Sequence, residues 1–539
     1  MRKTLIYILL LVPQLVYAQK GIRSFKLSGE QTANSEVSSR PAGNFIGVIT
    51  AHEDTVLIEA GGRLNITTDG GATWKIFSSA DGIFKGGIQA IDYFKSAIYT
   101  TTIYDTSLSQ DPTYGAGGGI SISKDFGQTW VHVVQPKDTS NMIGNVTRTG
   151  PGGQPQTFQL VKDYMIRQTP FVTDTIYMVA VKSNIDNVSF DVAVTDSSIW
   201  LACFGGGLRF AKILPDGSIG AFTQAPLPPT QLDEVRADTE YNFDIDPIEH
   251  LNYRVFSVIV ARDGIWAGSA GGINYSADGG MSWKKYTVAN NSISGNFVTA
   301  LGEQIYSETG TGYRNIWAAT NRALGNNEEN GLSVTSDSGA TWRVVLQGPF
   351  VYNIAFDGKT VYVATDEGVY RTKDLGLTWE HFLTLIDHIS GDRNYSAEFP
   401  SVGVDAVNGT LYFGSVDGLA MSEDDGQTWI LKRAYKEPGK KGTPKSYAYP
   451  NPFSPEHFPN AARFQFDQTG MDPGTDQATI KIYDFAMDLV ATVAKNEPIT
   501  NAFSWNGLNN KGVRAANGTY VYIIEAGGKK FWGKLTVRN

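Results

Sequence analysis

The eight residues "TTDGGATW" (Thr67–Trp74) return as "SKDFGQTW", "SADGGMSW", "TSDSGATW", "TKDLGLTW" and "SEDDGQTW". Such self-similarity means that one supersecondary unit is made several times, and the fold follows from what that unit is. Upstream of each box stand a β-rich run, a glycine turn and a second run, as in "TVLIEAGGRLNI", "GIWAGSAGGINY", "TVYVATDEGVYR" and "TLYFGSVDGLAM". A further strand such as "VYNIAF" or "SVGVDAV" precedes these, so the unit has four strands. Between Trp130 and Trp283 a decayed copy, "SSIWLACFGGGLRFAKILPDGSIGAF", keeps the strand pair and loses the box. Counting it gives seven units over residues 45–433. Radial repetition of four-stranded antiparallel sheets limits exposed sheet edges, so the chain is read as all-β, with a seven-bladed β-propeller as its main domain. A single large sandwich would not explain a repeated unit of this internal order.

The box residues are explained by the demands of a tight hairpin. Gly71, Gly127, Gly280, Gly339, Gly376 and Gly426 supply a residue tolerant of positive φ. Asp69, Asp125, Asp278, Asp337, Asp374 and Asp424 can accept backbone N–H groups of their own turn. Trp74, Trp130, Trp283, Trp342, Trp379 and Trp429 offer large faces to pack between sheets. Every demand is met inside the hairpin, so these residues are assigned to structure and not to a ligand.

The pattern S/T-x-D-x-G-x-T/S-W resembles the Asp-box, or bacterial neuraminidase repeat, of sialidases, xyloglucan hydrolases, sortilin-type receptors and photosystem assembly factors. In those families the box is structural and activities differ, so the resemblance implies the fold without fixing a function. Similarity to sialidases would imply an Arg-Ile-Pro segment before the first box, three substrate-clamping arginines and six blades. "SRPAG" at Ser39–Gly43 lacks the intervening apolar residue. Similarity to xyloglucan hydrolases would imply two propellers, where the length here allows one. The seven-bladed assembly factors match the blade count.

The chain opens "MRKTLIYILLLVPQLVYAQK", with two cations, an apolar run and a small residue at Ala18. This is the pattern of a secretory signal peptide over residues 1–18, followed by an N-terminal segment over 19–44. No Cys follows the apolar run, so a lipid anchor there is not expected. No later stretch approaches the ~20 apolar residues of a membrane span. The formal net charge of −9, deepened by loss of Arg2 and Lys3 with the leader, argues against a nucleic-acid partner. Cys203 is the sole cysteine, which excludes intramolecular disulfides, and its setting in "IWLACFGGG" reads as core.

In a propeller with strands A to D from the inside outward, A–B and C–D turns share one face, and B–C turns and D–A links share the other. The boxes are short C–D turns. Most long segments fall on the opposite face: the B–C turns "TTIYDTSLSQDPTYGAGGG" and "NRALGNNEENG", and the D–A links near 135–172, 224–250 and 384–398. "YSETGTGYR", near residue 310, is the exception. Long loops on a rigid scaffold are where function concentrates, so the expected ligand face is the one opposite the boxes. Its candidate residues are Asp111, Tyr114, Arg236, Asp244, Asp246, Asp387, His388, Asp392, Arg393 and Tyr395. "DEVRADTEYNFDIDPIEH" holds seven carboxylates between Asp233 and Glu249. These could bind calcium through oxygen ligands, although the spacing and Gly of a recognised calcium loop are absent; no other cofactor is expected. No catalytic residue is assigned, because no spacing selects two carboxylates. Trp200, Trp266 and Trp317 recur at one position of successive blades, which points to packing.

From Ala434, "AYKEPGKKGTPKS" reads as a flexible basic linker over 434–446. Residues 447–539 carry short strands and turn signals, the pattern of a small β-sandwich. "YPNPF" (Tyr449–Phe453) and the final "GKLTVRN" resemble the C-terminal sorting domains of type IX secretion substrates. "WNGLNNKG" (Trp505–Gly512) with "ANGTYVYII" resembles the Ig-like domain of the flagellar hook-capping protein. These resemblances imply export through an outer membrane by secretion machinery that engages the C-terminal domain, and surface attachment. The expectation is a secreted or surface-displayed, non-catalytic propeller of a Gram-negative-type bacterium, binding a glycan or an extracellular protein. The alternatives are a glycoside hydrolase and a structural component of a surface assembly.

Overall fold

The computed structural model describes residues 36–106, 114–138, 145–149, 155–159, 164–168, 175–179, 181, 183–238, 251–323, 325–440, 442–457 and 460–538. Among them there is no α-helix, and seven antiparallel sheets of four consecutive strands follow one another. Their innermost, A strands are Ile46–His52, Gly87–Phe94, Ser189–Val194, Val255–Ala261, Phe297–Glu308, Val351–Asp357 and Ser401–Asp405, which define blades 1 to 7. Each A strand contacts the next, and that of blade 7 returns to that of blade 1, which closes the ring. Blades 1 and 4 gain a fifth, outermost strand, Glu36–Ser38 and Glu234–Val235. The propeller therefore begins inside the N-terminal segment, by Glu36, because residues 36–38 complete the edge left open by Trp74–Phe77. Two extra hairpins, Asn145–Thr149 with Pro155–Gln159 and Tyr164–Gln168 with Thr175–Val179, occupy the long link before blade 3.

Neighbouring blades are joined by aromatic contacts. Trp283 of blade 4 meets Trp200 of blade 3 edge-on at 6.4 Å, and Trp342 of blade 5 meets Trp266 of blade 4 at 6.0 Å. Trp130 meets Phe77 of blade 1 at 6.3 Å, and Trp429 meets Phe382 of blade 6 at 5.8 Å. Trp74 packs with Tyr412 and Leu419 of blade 7. Each of these box tryptophans thus docks into the preceding blade. In blade 3, whose box has decayed, Phe222 joins the core shared with blade 2.

The box turns show why their glycine is needed. Two consecutive residues have positive φ, as in a type I′ turn. The first accepts a side chain in four boxes: Phe126, Ser338, Leu375 and Asp425. The second is glycine in all six, and at Gly71, Gly127, Gly339, Gly376 and Gly426 a Cβ would strike the preceding blade. At Gly339 it would lie 2.6 Å from the Tyr286 oxygen, and at Gly376 2.6 Å from Val345 Cβ. Blade contact as well as turn conformation therefore demands this glycine. The box aspartates are spent within their own turns. Asp374 Oδ1 accepts from Thr372 Oγ1 at 2.8 Å and Thr378 N at 2.9 Å, while Oδ2 accepts from Thr378 Oγ1 at 2.6 Å.

Residues 446–538 form a second unit of two antiparallel sheets. One joins Ser446–Tyr449, Ala462–Phe466 and Phe503–Trp505; the other joins Leu489–Pro498, Gln477–Tyr483, Gly518–Ala526 and Lys529–Val537. Phe453, Phe464, Ile480, Trp505, Ile524 and Leu535 fill the space between them. "YPNPF" has a structural role here: Phe453 is fully buried, its N–H donates to Thr536 O at 2.8 Å, and Asn451 accepts from Thr536 N at 3.0 Å. The segment thereby covers part of the edge of the last strand. The linker is held, contrary to the reading of it as flexible. Ala434 N donates to Asn44 Oδ1 at 2.6 Å, Arg40 lies 3.8 Å over the Tyr435 ring, and Gly439 N donates to Pro444 O at 3.1 Å.

Candidate functional site

The seven A strands surround a central channel of about 1040 Å³. Among the described residues five carboxylates line it, Glu59, Asp92, Asp191, Asp366 and Glu398, and no Lys, Arg or His does. The three inner acids are bonded to backbone. Asp92 of blade 2 accepts from Val194 N of blade 3 at 2.8 Å. Asp191 of blade 3 accepts from Val258 N of blade 4 at 2.9 Å and from Ser257 Oγ at 3.0 Å. Glu59 accepts from Gly62 N at 2.7 Å and Gly47 N at 3.0 Å. The first six A strands all carry a register irregularity against their B strands, and Asp191, Ser257 and Asn353 each sit at one. Burial outweighs these hydrogen bonds and pushes the Glu59 and Asp191 carboxyls up to about 7 and that of Asp92 to about 6.

The channel runs the length of the A strands, and its mouth on the face opposite the boxes is where those strands begin. Aromatic rings from four successive blades form a crescent there. Phe190 lies 5.0 Å from Phe256, Phe256 4.9 Å from Phe297, Phe297 6.1 Å from Phe350, and Phe350 5.0 Å from Tyr352. Two carboxylates flank its blade 6 end. Asp366, in the B–C turn, accepts from Phe350 N at 2.8 Å, and Glu398, in the following link, accepts from Tyr352 Oη at 2.8 Å. Burial chiefly, with Glu367 and Glu398 nearby, holds the Asp366 carboxyl above the usual range in spite of the Phe350 bond. Burial and Glu398 likewise raise the Tyr352 phenol, keeping it a donor.

The candidate residues named from sequence do not gather at this mouth. Asp387 is buried and binds its own surroundings. Oδ2 accepts from Leu431 N at 2.7 Å and Oδ1 from Ser390 N at 2.7 Å. Burial works to raise this carboxyl, yet those bonds hold it below the usual range. His388 Nδ1 lies 3.0 Å from Trp429 O at the outer edge of blade 7. Asp392, Arg393 and Tyr395 line the seam with the C-terminal unit instead of an open ligand surface. Asp392 pairs with Arg433, Arg433 Nη2 also donates to Arg393 O at 2.8 Å, and Tyr395 Oη lies 3.0 Å from Ser504 Oγ. Arg236 pairs with Asp238 at 3.2 Å near the outer strand of blade 4. Tyr114 begins the C strand of blade 2, and Asp111, Asp244 and Asp246 lie outside the described residues. Much of the acidic stretch suggested for calcium also lies there, and among the described residues no group of three or more His, Cys, Asp or Glu could hold a metal ion.

The mouth residues were visible in one signal. An aromatic stands at or next to the start of successive A strands, in "SFDVAV", "RVFSVIV", "NFVTAL" and "PFVYNIAF". That periodicity reads as core until the ring is closed.

Among solved structures the chain is similar to the Niastella koreensis GH74 enzyme, with 13% identity over 93% of this chain and 74% of that one, at a TM-score of 0.45. It is also similar to YCF48 from Cyanidioschyzon merolae, with 14% identity over 72% of this chain and 98% of that one, at a TM-score of 0.41. PorZ, a bacterial surface component of the type-IX secretion system of Porphyromonas gingivalis, aligns with 13% identity over 93% and 100% of the two chains, at a TM-score of 0.17. No protein-family profile and no curated relative matches. The propeller is established by its own strand pairing, and these overlays do not bear on activity. No helix among the described residues is long and apolar enough to cross a membrane.

Proposed function

We propose that this protein is a secreted or surface-displayed binding propeller that engages a glycan or an extracellular protein at the channel mouth opposite the Asp boxes. In this reading the C-terminal unit serves export or anchoring. The observation that carries it is the set of aromatic residues Phe190, Phe256, Phe297 and Tyr352 lining one end of a channel whose inner carboxylates are committed to backbone. Concave sites with aromatic walls and a few convergent polar groups are the usual form of a ligand pocket. Glycan and peptide arrays probed with the purified protein and with Tyr352→Ala test this: binding by the first and its loss in the second is expected. Equal binding by both would place the site elsewhere.

A hydrolytic reading rests on the same pair of acids. Asp366 and Glu398 share the mouth, and a raised carboxyl beside a second carboxylate is the arrangement a glycosidase uses. Release of reducing sugar from a panel of polysaccharides, abolished in Asp366→Asn and Glu398→Gln, supports it. No turnover across the panel removes it. A sialic-acid substrate fits poorly, because an anionic sugar would enter a channel lined, among the described residues, by five acids and no cation.

A further inference from the structure

We propose that the channel mouth recognises an organic cation, an ammonium or guanidinium group on an apolar stem, as carried by a Lys or Arg side chain of a peptide. This rests on the reading of the mouth as a binding site and names the chemistry of what it takes.

Three observations point the same way. The first is charge: among the described residues that line the channel there is no basic side chain, and Asp366 and Glu398 carry the charge a ligand meets, since burial keeps Glu59 and Asp191 partly protonated near pH 7. A cleft of one sign with low-dielectric walls focuses its potential and selects the opposite sign. The second is the pairing of acid with ring. Asp366 Oδ1 is fixed by Phe350 N, whose carbonyl in turn accepts from Asp366 N at 3.2 Å. Glu398 Oε1 is fixed by the Tyr352 hydroxyl. Each carboxylate is thus oriented by an aromatic residue of the crescent and keeps a second oxygen outside that bond. The third is the rings themselves: Tyr352 lines the channel with Phe190, Phe256 and Phe297, and is braced by Phe350 at 5.0 Å. A cation within ~6 Å of a ring centroid is attracted to its face, and the attraction grows when the cation is desolvated.

The two features divide the work. The head group lies between the Asp366 and Glu398 oxygens beside the Tyr352 ring, and the apolar stem runs into the channel, whose walls beyond the acids are largely Val, Ile and Ala. A neutral sugar could donate hydroxyls to the acids but would not compensate their charge, and a sulfated or carboxylated glycan would be repelled by them.

The test uses the full chain and four probes in calorimetry or fluorescence anisotropy: a tetralysine peptide, its fully N-acetylated form, free hexylammonium and a neutral glucan oligosaccharide. The tetralysine peptide is expected to bind at least about tenfold more tightly than the acetylated one, and more weakly as salt rises. In Asp366→Asn/Glu398→Gln, which retains the oxygens that accept from Phe350 and Tyr352, that preference should vanish. Hexylammonium binding identifies a free amine as a sufficient ligand; binding of the peptide alone identifies a protein segment, and either result supports the proposal. Equal affinity for the acetylated and free peptides, or an unchanged preference in the double variant, overturns it. Binding of the neutral glucan alone, lost in Tyr352→Ala, also overturns it while leaving the mouth as the binding site. No binding of any probe overturns the cation assignment, and the array comparison then decides the broader reading.

Discussion

Arg463 of the C-terminal unit and Asp417 of blade 7 share a hydrogen bond of 2.7 Å with side chains only 5% and 4% exposed. They belong to a closed quartet. Arg433 Nη2 reaches the same Asp417 oxygen at 2.9 Å, Arg433 pairs with Asp392, and Arg463 Nε lies 3.7 Å from Asp392. Two cations and two anions balance inside the seam, and the Arg463 guanidinium also lies 5.0 Å over the Tyr395 ring. Such a group is worth little against an apolar replacement, but removing one member leaves a buried charge uncompensated.

Arg463→Ala is therefore expected to cost roughly 3–5 kcal/mol at the seam. In urea unfolding the C-terminal unit should separate as an earlier transition, and protease should cut in the 434–446 linker. A single transition at the wild-type midpoint would show that the quartet does not join the two units.

The glycine of the box gives a position-specific expectation. Gly279 and Gly339 both have positive φ, at 73° and 84°. A Cβ at Gly279 meets nothing within 4 Å, whereas one at Gly339 meets Tyr286 and Trp266 of the preceding blade. Gly279→Ala should cost only the left-handed penalty of about 1–2 kcal/mol. Gly339→Ala should add roughly 1–3 kcal/mol of overpacking. Equal losses in denaturant midpoint would mean that turn conformation alone selects glycine.

How much of this could be read beforehand differs by feature. The blades were legible because the box is local: Thr372, Asp374, Gly376 and Thr378 satisfy one another within a single hairpin. The mouth was not, since Asp366 and Glu398 lie on separate segments and converge only when blade 6 is laid beside the link that follows it. Asp392, Arg393 and Tyr395 looked like a ligand cluster because their partner, Arg463, comes from the other unit, and local spacing carries no trace of such pairing.

Acid should weaken the boxes. Hydrogen bonds from the Thr378 side chain and backbone, and from Thr372, hold the Asp374 carboxyl down at about 2; corresponding bonds hold Asp125 and Asp424 at about 2. A folded-state value below the unfolded one of about 4 gives stability that is present above pH 4 and lost as pH falls toward 2. Asp374→Ala should lower the melting temperature at pH 7 and flatten its fall between pH 4 and 2, leaving array binding at pH 7 unchanged. Loss of that binding in a variant that remains folded would give the box a ligand role.

The channel acids act with the opposite sign. Burial raises Glu59 and Asp191 to about 7 and Asp92 to about 6, all above the unfolded value of about 4. Their contribution is therefore complete below pH 4 and is lost as pH rises through 6 to 7, because folding then requires a buried charge. A tenfold change in proton affinity on folding is worth ~1.4 kcal/mol, so these three carboxyls together outweigh a typical surface ion pair over that window. Asp191→Asn keeps an oxygen to accept from Val258 N and removes the charge. The variant should melt higher than the wild type at pH 8, approach it only below pH 4, and show a shallower decline between. If its decline is as steep as that of the wild type, Asp191 does not carry the charge penalty, and the alkaline weakening originates elsewhere in the ring.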